Sequence, residues 1–310
     1  QIAEGTRPRG PVAAGGCGLD VTEMVSSEGV VRGGARAFEF ATFVEEERPV
    51  AVQLFGGDPD RMAEAARALE ARGADLIDVN MGCPVPKIAR HDAGCRLMRA
   101  PVSAAQIVAA MTRSVSVPVT VKMRAGWSDR ELNAPDLARR LADAGAAAIF
   151  VHGRTAEQAY SGVSDWNLIA RVAAGTTVPV FGNGDLVEPD DLVTRMRESG
   201  VAGVVVGRGV VRNPWLLAQA ADLAAGREVR AISTAERGRF LLDYVDLLLV
   251  ERVRPEPRGG YRFQPAHGGA IGHDRWVINK IKALMAWFSK GLDGGPRLVR
   301  PGPWEYSGPH

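Results

Sequence analysis

The sequence predicts an α/β fold, a (β/α)8 TIM barrel whose first strand is missing or altered, followed by a C-terminal helical domain. Two observations lead to this prediction. Between residues 50 and 226, short β-branched runs alternate with longer segments of helical period, which is typical of parallel strands joined by helices. After about residue 232, helical patterns alone continue. A doubly wound open sheet is the alternative, although no Gly-x-Gly-x-x-Gly motif follows the first clear strand.

Six runs are predicted to be strands of the barrel. They lie at residues 50–55, 76–81, 117–123, 147–152, 178–181 and 201–206. An earlier run at 21–25 serves as a seventh strand, so the strand that an eight-stranded barrel still lacks is the first. Residues 1–16 contain Gly, Pro and Arg but no β-like run, and the chain opens on Gln1. These features predict a truncated or altered amino terminus.

The helices between the strands are indicated by the residues at their ends. Those predicted at 58–72, 136–144 and 189–199 are each followed by a glycine. Glycine adopts the left-handed conformation that ends many helices. Two more helices are predicted at 235–252 and 274–290, where no strands intervene.

The domain organisation follows from this order of elements. The barrel domain is predicted at 1–230 and the helical domain at 231–300, with a disordered tail at 301–310. Within the helical domain, the stretch 255–272 is rich in Gly and Pro and reads as a linker.

Composition excludes several classes of protein. Cys17, Cys83 and Cys95 are too few for a disulfide scaffold and do not have the spacing of a zinc site, so no metal is predicted and a reducing cytoplasm is expected. No run approaches the roughly 20 apolar residues of a membrane span. No signal peptide is visible, and no membrane association is expected.

The net charge of +2 conceals a basic segment. Residues 251–300 hold ten Lys or Arg against four Asp or Glu, a local balance of +6, which leaves −4 for the rest of the chain. This asymmetry is compatible with a polyanionic partner such as a nucleic acid.

Polar or charged residues follow each of the six predicted strands. The carboxyl ends of the strands of a barrel meet at one mouth, where active sites lie. Buried polar groups need a partner, so their accumulation there favours a pocket over coincidence. These residues are Gln53, Asn80 with Cys83, Lys122 with Arg124, His152 with Arg154, Asn183 with Asp185, and Gly207 with Arg208.

The last two of these loops suggest an anion site. Gly182 and Gly184 flank Asn183, and Gly207 and Gly209 flank Arg208. Glycines let backbone N–H groups approach an anion, and barrels commonly bind a phosphate at these loops. The phosphate of flavin mononucleotide is one ligand that fits, with Lys122 near the electron-rich edge of the flavin ring and Gln53 at its heteroatoms.

Several ordered motifs resemble those of the tRNA-dihydrouridine synthases. The likeness runs from about residue 22 to residue 291. The motifs are Asn80-Met81-Gly82-Cys83-Pro84, Gly94-Cys95-Arg96-Leu97-Met98, Val121-Lys122-Met123-Arg124-Ala125-Gly126-Trp127, Val151-His152-Gly153-Arg154-Thr155, Gly182-Asn183-Gly184-Asp185 and Gly207-Arg208-Gly209.

The resemblance implies an oxidoreductase that reduces the C5–C6 double bond of specific uridines in tRNA to 5,6-dihydrouridine. It implies FMN as the bound cofactor and NADPH as the reductant, with hydride passing from flavin N5 to C6. A cysteine thiol protonates C5, and Cys83 matches that cysteine. A monomer that binds tRNA partly through its helical domain is expected.

The resemblance also implies roles for the other motif residues. Asn80 is expected to position the uracil, and Arg124, Arg154 and Tyr160 lie on the substrate side. The basic helical domain would contact tRNA phosphates through Arg275, Lys280 and Lys282. The residues expected to bind FMN are Gln53, Lys122, His152, Asn183, Gly184, Asp185, Gly207 and Arg208.

Two other functions stay open at this point. The Pro-Met-Ala-Gly-like turn that the family's first strand brings under the flavin is not found, so the chain could be a non-catalytic tRNA-binding relic with an incomplete barrel. The second alternative is a flavin enzyme that reduces a free pyrimidine, against which the basic segment argues.

Overall fold

The computed structural model describes residues 16–89, 92–250 and 269–290. The chain divides into two compact units, one comprising Gln1–Val210 with Pro214–Arg230 and the other comprising Val211–Asn213 with Ala231–His310. The first unit carries a parallel sheet with its helices, and the second is helical where it is described. The functions predicted for the two domains stay predictions.

Eight strand segments form the sheet of the first unit. They are β1 Asp20–Val21, β2 Val25–Ser26, β3 Val50–Phe55, β4 Leu76–Met81, β5 Val119–Arg124, β6 Ala148–His152, β7 Val180–Asn183 and β8 Gly203–Val205. The sheet is parallel throughout, in the order β1-β3-β4-β5-β6-β7-β8, and β2 also pairs with β3. β1 and β2 therefore share one strand position, so eight segments fill seven positions.

The two edges of this sheet are β1 with β2 on one side and β8 on the other. A cavity of about 380 Å³ is lined by residues 16–21 before and within β1, and by residues 203–206 at β8. In the described part of the chain, no further strand pairs with either edge. The predicted fold class, an α/β fold of the TIM-barrel type followed by helices, is confirmed. The prediction that the first strand is missing or altered concerns residues outside the described part of the chain.

In the first unit, helices connect the strands of the sheet, and the second unit adds two further described helices. The α-helices are α1 Ser27–Val31, α2 Ala35–Phe40, α3 Pro59–Glu70, α4 Pro86–Ala89, α5 Pro101–Thr112, α6 Ala134–Asp143, α7 Trp166–Gly175, α8 Pro189–Ser199, α9 Arg208–Arg212, α10 Leu216–Ala224, α11 Thr234–Val250 and α12 Gly269–Phe288. Two 3-10 helices lie at Glu45–Glu47 and Gly94–Arg99.

The helix α3 shows how the sequence specifies these elements. The Asp58 side chain accepts a hydrogen bond from the Arg61 backbone N–H and caps the first turn, which satisfies a donor that the helix leaves free. Met62 and Leu69 face the core and are buried. The capped start and the apolar stripe together fix α3 against the sheet.

Several element boundaries differ from the prediction for local reasons. β5 and β7 begin two residues later than predicted, directly after Pro118 and Pro179, because proline has no N–H for the strand ladder. The predicted strand at 21–25 is interrupted, because the Gln53 N–H bonds the Thr22 hydroxyl oxygen at 3.1 Å instead of a backbone carbonyl. This side-chain contact separates β1 from β2.

In the helical unit, α12 begins five residues earlier than predicted, so part of the expected 255–272 linker is helical. The remainder of that linker, the expected amino-terminal alteration at 1–15 and the predicted tail at 301–310 lie outside the described residues. The rings of Phe240 in α11 and Phe288 in α12 stack with centroids 5.6 Å apart. Tyr244 and Leu284 are also buried in this unit.

The longest described helix is α12, with 20 residues. Neither this helix nor any other described one combines the length and the apolar character that crossing a membrane requires.

The close packing of β7 against α7 predicts a specific stability defect. A Cβ atom at Gly182 would lie 2.4 Å from Cζ3 of Trp166, so Gly182→Ala is expected to lower the free energy of unfolding by about 1–3 kcal/mol in urea titrations. Gly175→Ala is the control, because a Cβ there meets nothing within 4 Å. Equal stability of the two variants would contradict the packing described here.

Candidate active site

The strand register places the predicted site residues on one face of the sheet. Side chains of directly paired residues in neighbouring parallel strands point to the same side, and residues two apart within a strand do so as well. Polar residues therefore line the inner face of the sheet towards the carboxyl ends of β3 to β7. The pairs are Gln53 with Asp78, Asn80 with Lys122, Arg124 with His152, and His152 with Asn183.

A chain of buried hydrogen bonds crosses β3, β4 and β5. The Asp78 carboxylate accepts from Gln53 Nε2 and from the Thr120 hydroxyl, each at 2.7 Å. Gln53 Oε1 in turn accepts from Asn80 Nδ2 at 2.7 Å. Asp78 is 1 % exposed and Gln53 is 0 % exposed. We call these four residues the Asp78 network.

The Asp78 network ends at the loop that carries Cys83. Asn80 Oδ1 accepts hydrogen bonds from the backbone N–H groups of Gly82, at 3.1 Å, and Cys83, at 2.9 Å. The Cys83 carbonyl accepts from the Cys95 N–H at 3.0 Å. The backbone on both sides of the predicted proton donor is therefore fixed by hydrogen bonds.

Cys83 lies in an apolar environment at the end of β4. It is 9 % exposed and belongs to a small buried cluster with Ile88 and Ala93, against which Met24 and Phe55 pack. An apolar surrounding disfavours a charged sulfur, and it restricts access to the thiol.

Burial and neighbouring charges shift the pKa values of the ionisable groups in the site. Burial lowers the pKa of Lys122 to about 8, with a further lowering by Arg124, while Asp78 and Cys83 oppose the shift. Burial raises the pKa of Asp78 to about 6, although its hydrogen bonds with Thr120 and Gln53 oppose the shift. The positive charge of Lys122 favours the carboxylate form of Asp78, and the negative charge of Asp78 favours the ammonium form of Lys122.

His152 is neutral throughout the physiological range. Its burial, reinforced by the positive charges of Lys122, Arg124, Arg154 and Arg208, lowers the His152 pKa to about 2. A neutral imidazole has one nitrogen that donates a hydrogen bond and one that accepts. His152 is thus suited to hydrogen bonding with a ligand and not to ion pairing.

Arg124 connects the Cys83 loop to the loop after β6. Its Nε donates to the Gly82 carbonyl at 2.7 Å, and its Nη1 donates to the carbonyls of Thr155 and Ala159 at 2.9 Å. The residue is 4 % exposed, and burial lowers its pKa. Through these contacts Arg124 holds the two loops together at the mouth of the site. Its expected contact with substrate stays a prediction.

Arg154 supports the neighbouring loop in the same way. It donates from Nε to the Ser161 carbonyl at 3.0 Å and from Nη2 to the Gly162 carbonyl at 2.6 Å. Its Nη2 also lies 2.8 Å from Asp185 Oδ1, and Asp185 accepts a hydrogen bond from the Ser164 N–H at 2.8 Å. Arg154 and Asp185 thus clamp the loop to β7, and their predicted ligand contacts stay predictions.

Tyr160 and Arg208 form the exposed part of the predicted site. Tyr160 is 60 % exposed, and its ring centroid lies 4.9 Å from Cζ of Arg208 and 5.8 Å from Cζ of Arg124. Nη2 of Arg208 lies 4.0 Å from Oδ1 of Asp185. An exposed ring beside cations can stack on a nucleobase while the cations attract phosphate.

The two glycine loops pack so closely against neighbouring protein atoms that a side chain at Gly184 or Gly209 would collide with them. Gly184 has φ +125°, and a Cβ there would lie 2.2 Å from the Ser164 hydroxyl oxygen. A Cβ at Gly209 would lie 2.2 Å from the Leu186 carbonyl oxygen. Between these loops, Asn183 Nδ2 donates to the Val205 carbonyl at 2.6 Å and ties the ends of β7 and β8 together.

These glycine loops, next to the exposed cation of Arg208, fit the phosphate of a nucleotide such as FMN. The described residues contain no group of three or more His, Cys, Asp or Glu side chains that could hold a metal ion.

The remaining predicted site residues belong to the helical unit. Lys282 is exposed and Lys280 is half-buried, both in α12. The side chain of Arg275 lies outside the described residues. Contact of these three residues with tRNA stays a prediction.

The sequence-based prediction missed Asp78 and Thr120, which belong to the hydrogen-bond chain of the site. Both sit inside apolar strands, where neither belongs to a motif at a strand end. A usable signal exists, because Asp78 is two residues before Asn80 and must therefore share its face of β4. A carboxylate on the inner face of a barrel requires hydrogen-bonding partners on the adjacent strands.

Two solved structures share the fold of this chain. Histamine dehydrogenase from Rhizobium sp. 4-9 matches with a TM-score of 0.51 and 14 % identity, covering 71 % of this chain and 42 % of that chain. A 2-naphthoyl-CoA reductase in complex with 2-naphthoyl-CoA matches with a TM-score of 0.53 and 12 % identity, covering 71 % and 46 %. The chain thus spans less than half of either protein, and the likeness shows the fold alone.

Sequence comparison identifies the family. The family model "Dihydrouridine synthase (Dus)" matches residues 11–251. A probable tRNA-dihydrouridine synthase of Rhizobium leguminosarum bv. phaseoli is 40 % identical over 288 residues, which is 90 % of this chain and 89 % of the relative. The tRNA-dihydrouridine synthase B of Xanthomonas campestris pv. campestris is 37 % identical over 92 % of this chain and 87 % of its own length. The resemblance of the motifs is confirmed, and the chain belongs to the dihydrouridine synthase family.

Proposed function

We propose that this chain is an oxidoreductase that reduces uridine to 5,6-dihydrouridine in tRNA, with FMN as its flavin and NADPH as its reductant. Membership of the dihydrouridine synthase family supports the flavin-dependent reduction of uridine in tRNA. The observation that carries the assignment to this site is Cys83 after the end of β4, whose N–H donates to Asn80 Oδ1 and whose carbonyl accepts from the Cys95 N–H. FMN and NADPH are the more specific parts of the proposal.

The residues at the strand ends provide what FMN requires. Arg208 and the glycine loops after β7 and β8 would hold the phosphate, and Lys122 would face the ring edge that becomes negative on reduction. Neutral His152 would donate or accept a hydrogen bond there. When bound, FMN supplies the hydride that is added to C6 of uracil.

Cys83 would supply the proton that C5 of uracil needs. An unperturbed thiol has a pKa of about 8.5, so it is protonated at neutral pH and available as a general acid. Donation leaves a thiolate, and the positive charges of Lys122 and Arg124 both interact favourably with it. The hydride at C6 and the proton at C5 together complete the reduction.

The tRNA would enter at the exposed part of the mouth. The target uridine must leave the base stack of the tRNA to reach Cys83, since the active site of an enzyme cannot reach a base that is stacked inside an RNA helix. Exposed Tyr160 beside Arg208 offers a stacking surface for a base of the entering RNA. We further propose that the enzyme acts as a monomer in a reducing cytoplasm. Its described cysteines lie outside disulfides, which is compatible with that compartment.

The assignment of the acid is tested with Cys83→Ala. The purified wild type, loaded with FMN and reduced by NADPH, is expected to form dihydrouridine in unmodified tRNA and little in free uridine. Cys83→Ala is expected to keep its flavin absorbance but to form dihydrouridine about 10²–10⁴-fold more slowly, which is the range for loss of a general acid. Product is measured by mass spectrometry of nuclease-digested tRNA.

The matched control is Cys95→Ala, which removes a second buried thiol from the same region. It is expected to retain the wild-type rate at a temperature where it remains folded. A normal rate in Cys83→Ala would contradict the role given to this thiol, and a colourless wild type that still binds tRNA would favour the non-catalytic alternative.

The lowered pKa of Lys122 predicts a pH dependence of FMN binding. The ammonium form predominates below the pKa of about 8 and attracts the anionic ligand. Above that pH the group is neutral and the attraction is lost. The Kd of the apoprotein for FMN is therefore expected to rise about tenfold between pH 7 and pH 9, measured by quenching of flavin fluorescence.

Lys122→Met provides the control for this titration. It should bind FMN more weakly at pH 7, and its Kd should change little up to pH 9. A wild-type pH profile in the variant would show that another group causes the dependence.

The expected tRNA contact of the helical unit is tested at Lys282. If its ammonium contacts a phosphate, Lys282→Ala should weaken tRNA binding and reduce the slope of log K against log salt concentration by about 1. Arg139→Ala, an exposed substitution on α6 of the barrel unit, is the control and should leave the slope unchanged. Identical slopes for both variants would exclude this contact.

A further inference from the structure

We propose that Asp78 is a positioning residue for the proton-donating thiol. Its carboxylate fixes the direction of the hydrogen bonds that run through Gln53 and Asn80 to the backbone of the Cys83 loop. This inference rests on the function proposed above, in which Cys83 is the proton donor. It concerns a residue that does not itself contact the reacting atoms.

The direction of the Asp78 network follows from the chemistry of its groups. The Gln53 and Asn80 side chains each carry one donor end and one acceptor end, and a hydroxyl such as that of Thr120 can donate or accept. An ionised carboxylate accepts hydrogen bonds and donates none. Asp78 is therefore the member of the network that imposes a direction on the others.

This direction passes from Asp78 to the Cys83 loop through two amides. Because Asp78 accepts from Gln53 Nε2, the oxygen of the Gln53 amide faces Asn80. Asn80 donates to that oxygen from its Nδ2, which turns its own Oδ1 towards the loop. Asn80 Oδ1 then accepts from the N–H groups of Gly82 and Cys83. A reversed Asn80 amide would place its NH₂ group against these two donors.

Burial makes the direction of these hydrogen bonds consequential. Asp78 is 1 % exposed, Gln53 is 0 % exposed and Asn80 is 3 % exposed. A buried polar group that loses its partner cannot recover the hydrogen bond from bulk water. Loss of direction at Asp78 should therefore be transmitted to the loop instead of being absorbed by solvent. Lys122, on the neighbouring strand, supplies a positive charge that favours the ionised form of Asp78.

The exposure of the Cys83 thiol gives a direct measure of loop positioning that does not depend on catalysis. Cys83 as a whole is 9 % exposed, so we expect alkylation by iodoacetamide to need local opening of its loop. Modification of Cys83, Cys95 and Cys17 can be followed separately by peptide mass spectrometry. The unreacted fraction of the Cys83 peptide then reports loop opening in the holoenzyme.

Asp78→Asn is the first variant to test. Asparagine offers both an acceptor and a donor to Gln53, and it replaces a charge-assisted hydrogen bond by a neutral one. Cys83 alkylation is expected to accelerate about fivefold, in line with the weaker hydrogen bond. The kcat for dihydrouridine formation should fall with little change in KM for tRNA, because the thiol is misplaced while the RNA-contacting surface is intact.

Asp75→Asn is the matched control. Asp75 lies just before β4, at the opposite end of the strand, where its carboxylate accepts from the Val50 N–H at 2.8 Å and pairs with Arg48. The same chemical change there should reduce stability but leave Cys83 alkylation and kcat at wild-type values.

The double variant Gln53→Glu with Asp78→Asn separates direction from mere packing. In it the carboxylate moves one residue along the network, where it can accept from the amide introduced at position 78 on one side and from Asn80 on the other. Asn80 again directs its oxygen to the loop. Cys83 alkylation is expected to return to within about twofold of the wild-type rate, although activity is not expected to return because Gln53 lies in the proposed flavin site.

The outcomes distinguish this inference from the proposed function. Faster alkylation in Asp78→Asn, with rescue in the double variant, supports the positioning role even if the wild type forms no dihydrouridine, in which case only the proposed function fails. Alkylation in Asp78→Asn within about twofold of wild type overturns the positioning role. Should Asp78→Asn not fold, wild-type alkylation in a folded double variant supports the role, and rapid alkylation there overturns it.

Discussion

The site depends on the requirement that polar side chains on the inner face of the sheet satisfy one another. The strand period places Gln53, Asp78 and Thr120 at one level of neighbouring strands, where all three are buried. Their hydrogen bonds at 2.7 Å meet that requirement. A single carboxylate thereby connects three strands through hydrogen bonds. Asn80, which bonds to Gln53 on one side and to the Cys83 loop on the other, links the position of that loop to these strands.

Two buried arginines hold the loops at the mouth of the site in place. The guanidinium groups of Arg124 and Arg154 donate to backbone carbonyls that no strand or helix would otherwise satisfy. These loops therefore keep a defined course without secondary structure of their own. The cations thus differ in their surroundings: Arg124 and Arg154 hold the loops, while Lys122 and Arg208 are the cations that we propose to bind FMN.

The sequence predicts the architecture well because the strand signal is local. Apolar β-branched runs identify β3 and β4 with their observed bounds, and proline displaces the starts of β5 and β7. The positions of the site residues at the strand ends are equally local. The partner of a cation such as Arg154, a ligand or a backbone carbonyl, cannot be predicted from the local sequence. It depends on the course of the loop around Ser161.

A thiol that donates a proton, the role that we propose for Cys83, must satisfy two opposing demands, and its surroundings bear on both. Before reaction, the thiol must keep its proton, which the apolar cluster around it favours because that cluster solvates charge poorly. After donation, the thiolate must be stabilised, which the positive charges of Lys122 and Arg124 achieve. Neutral His152 adds no further charge to this balance. The fixed Cys83 loop matters because these opposing influences vary steeply with the position of the sulfur, so the placement of the sulfur determines which influence prevails.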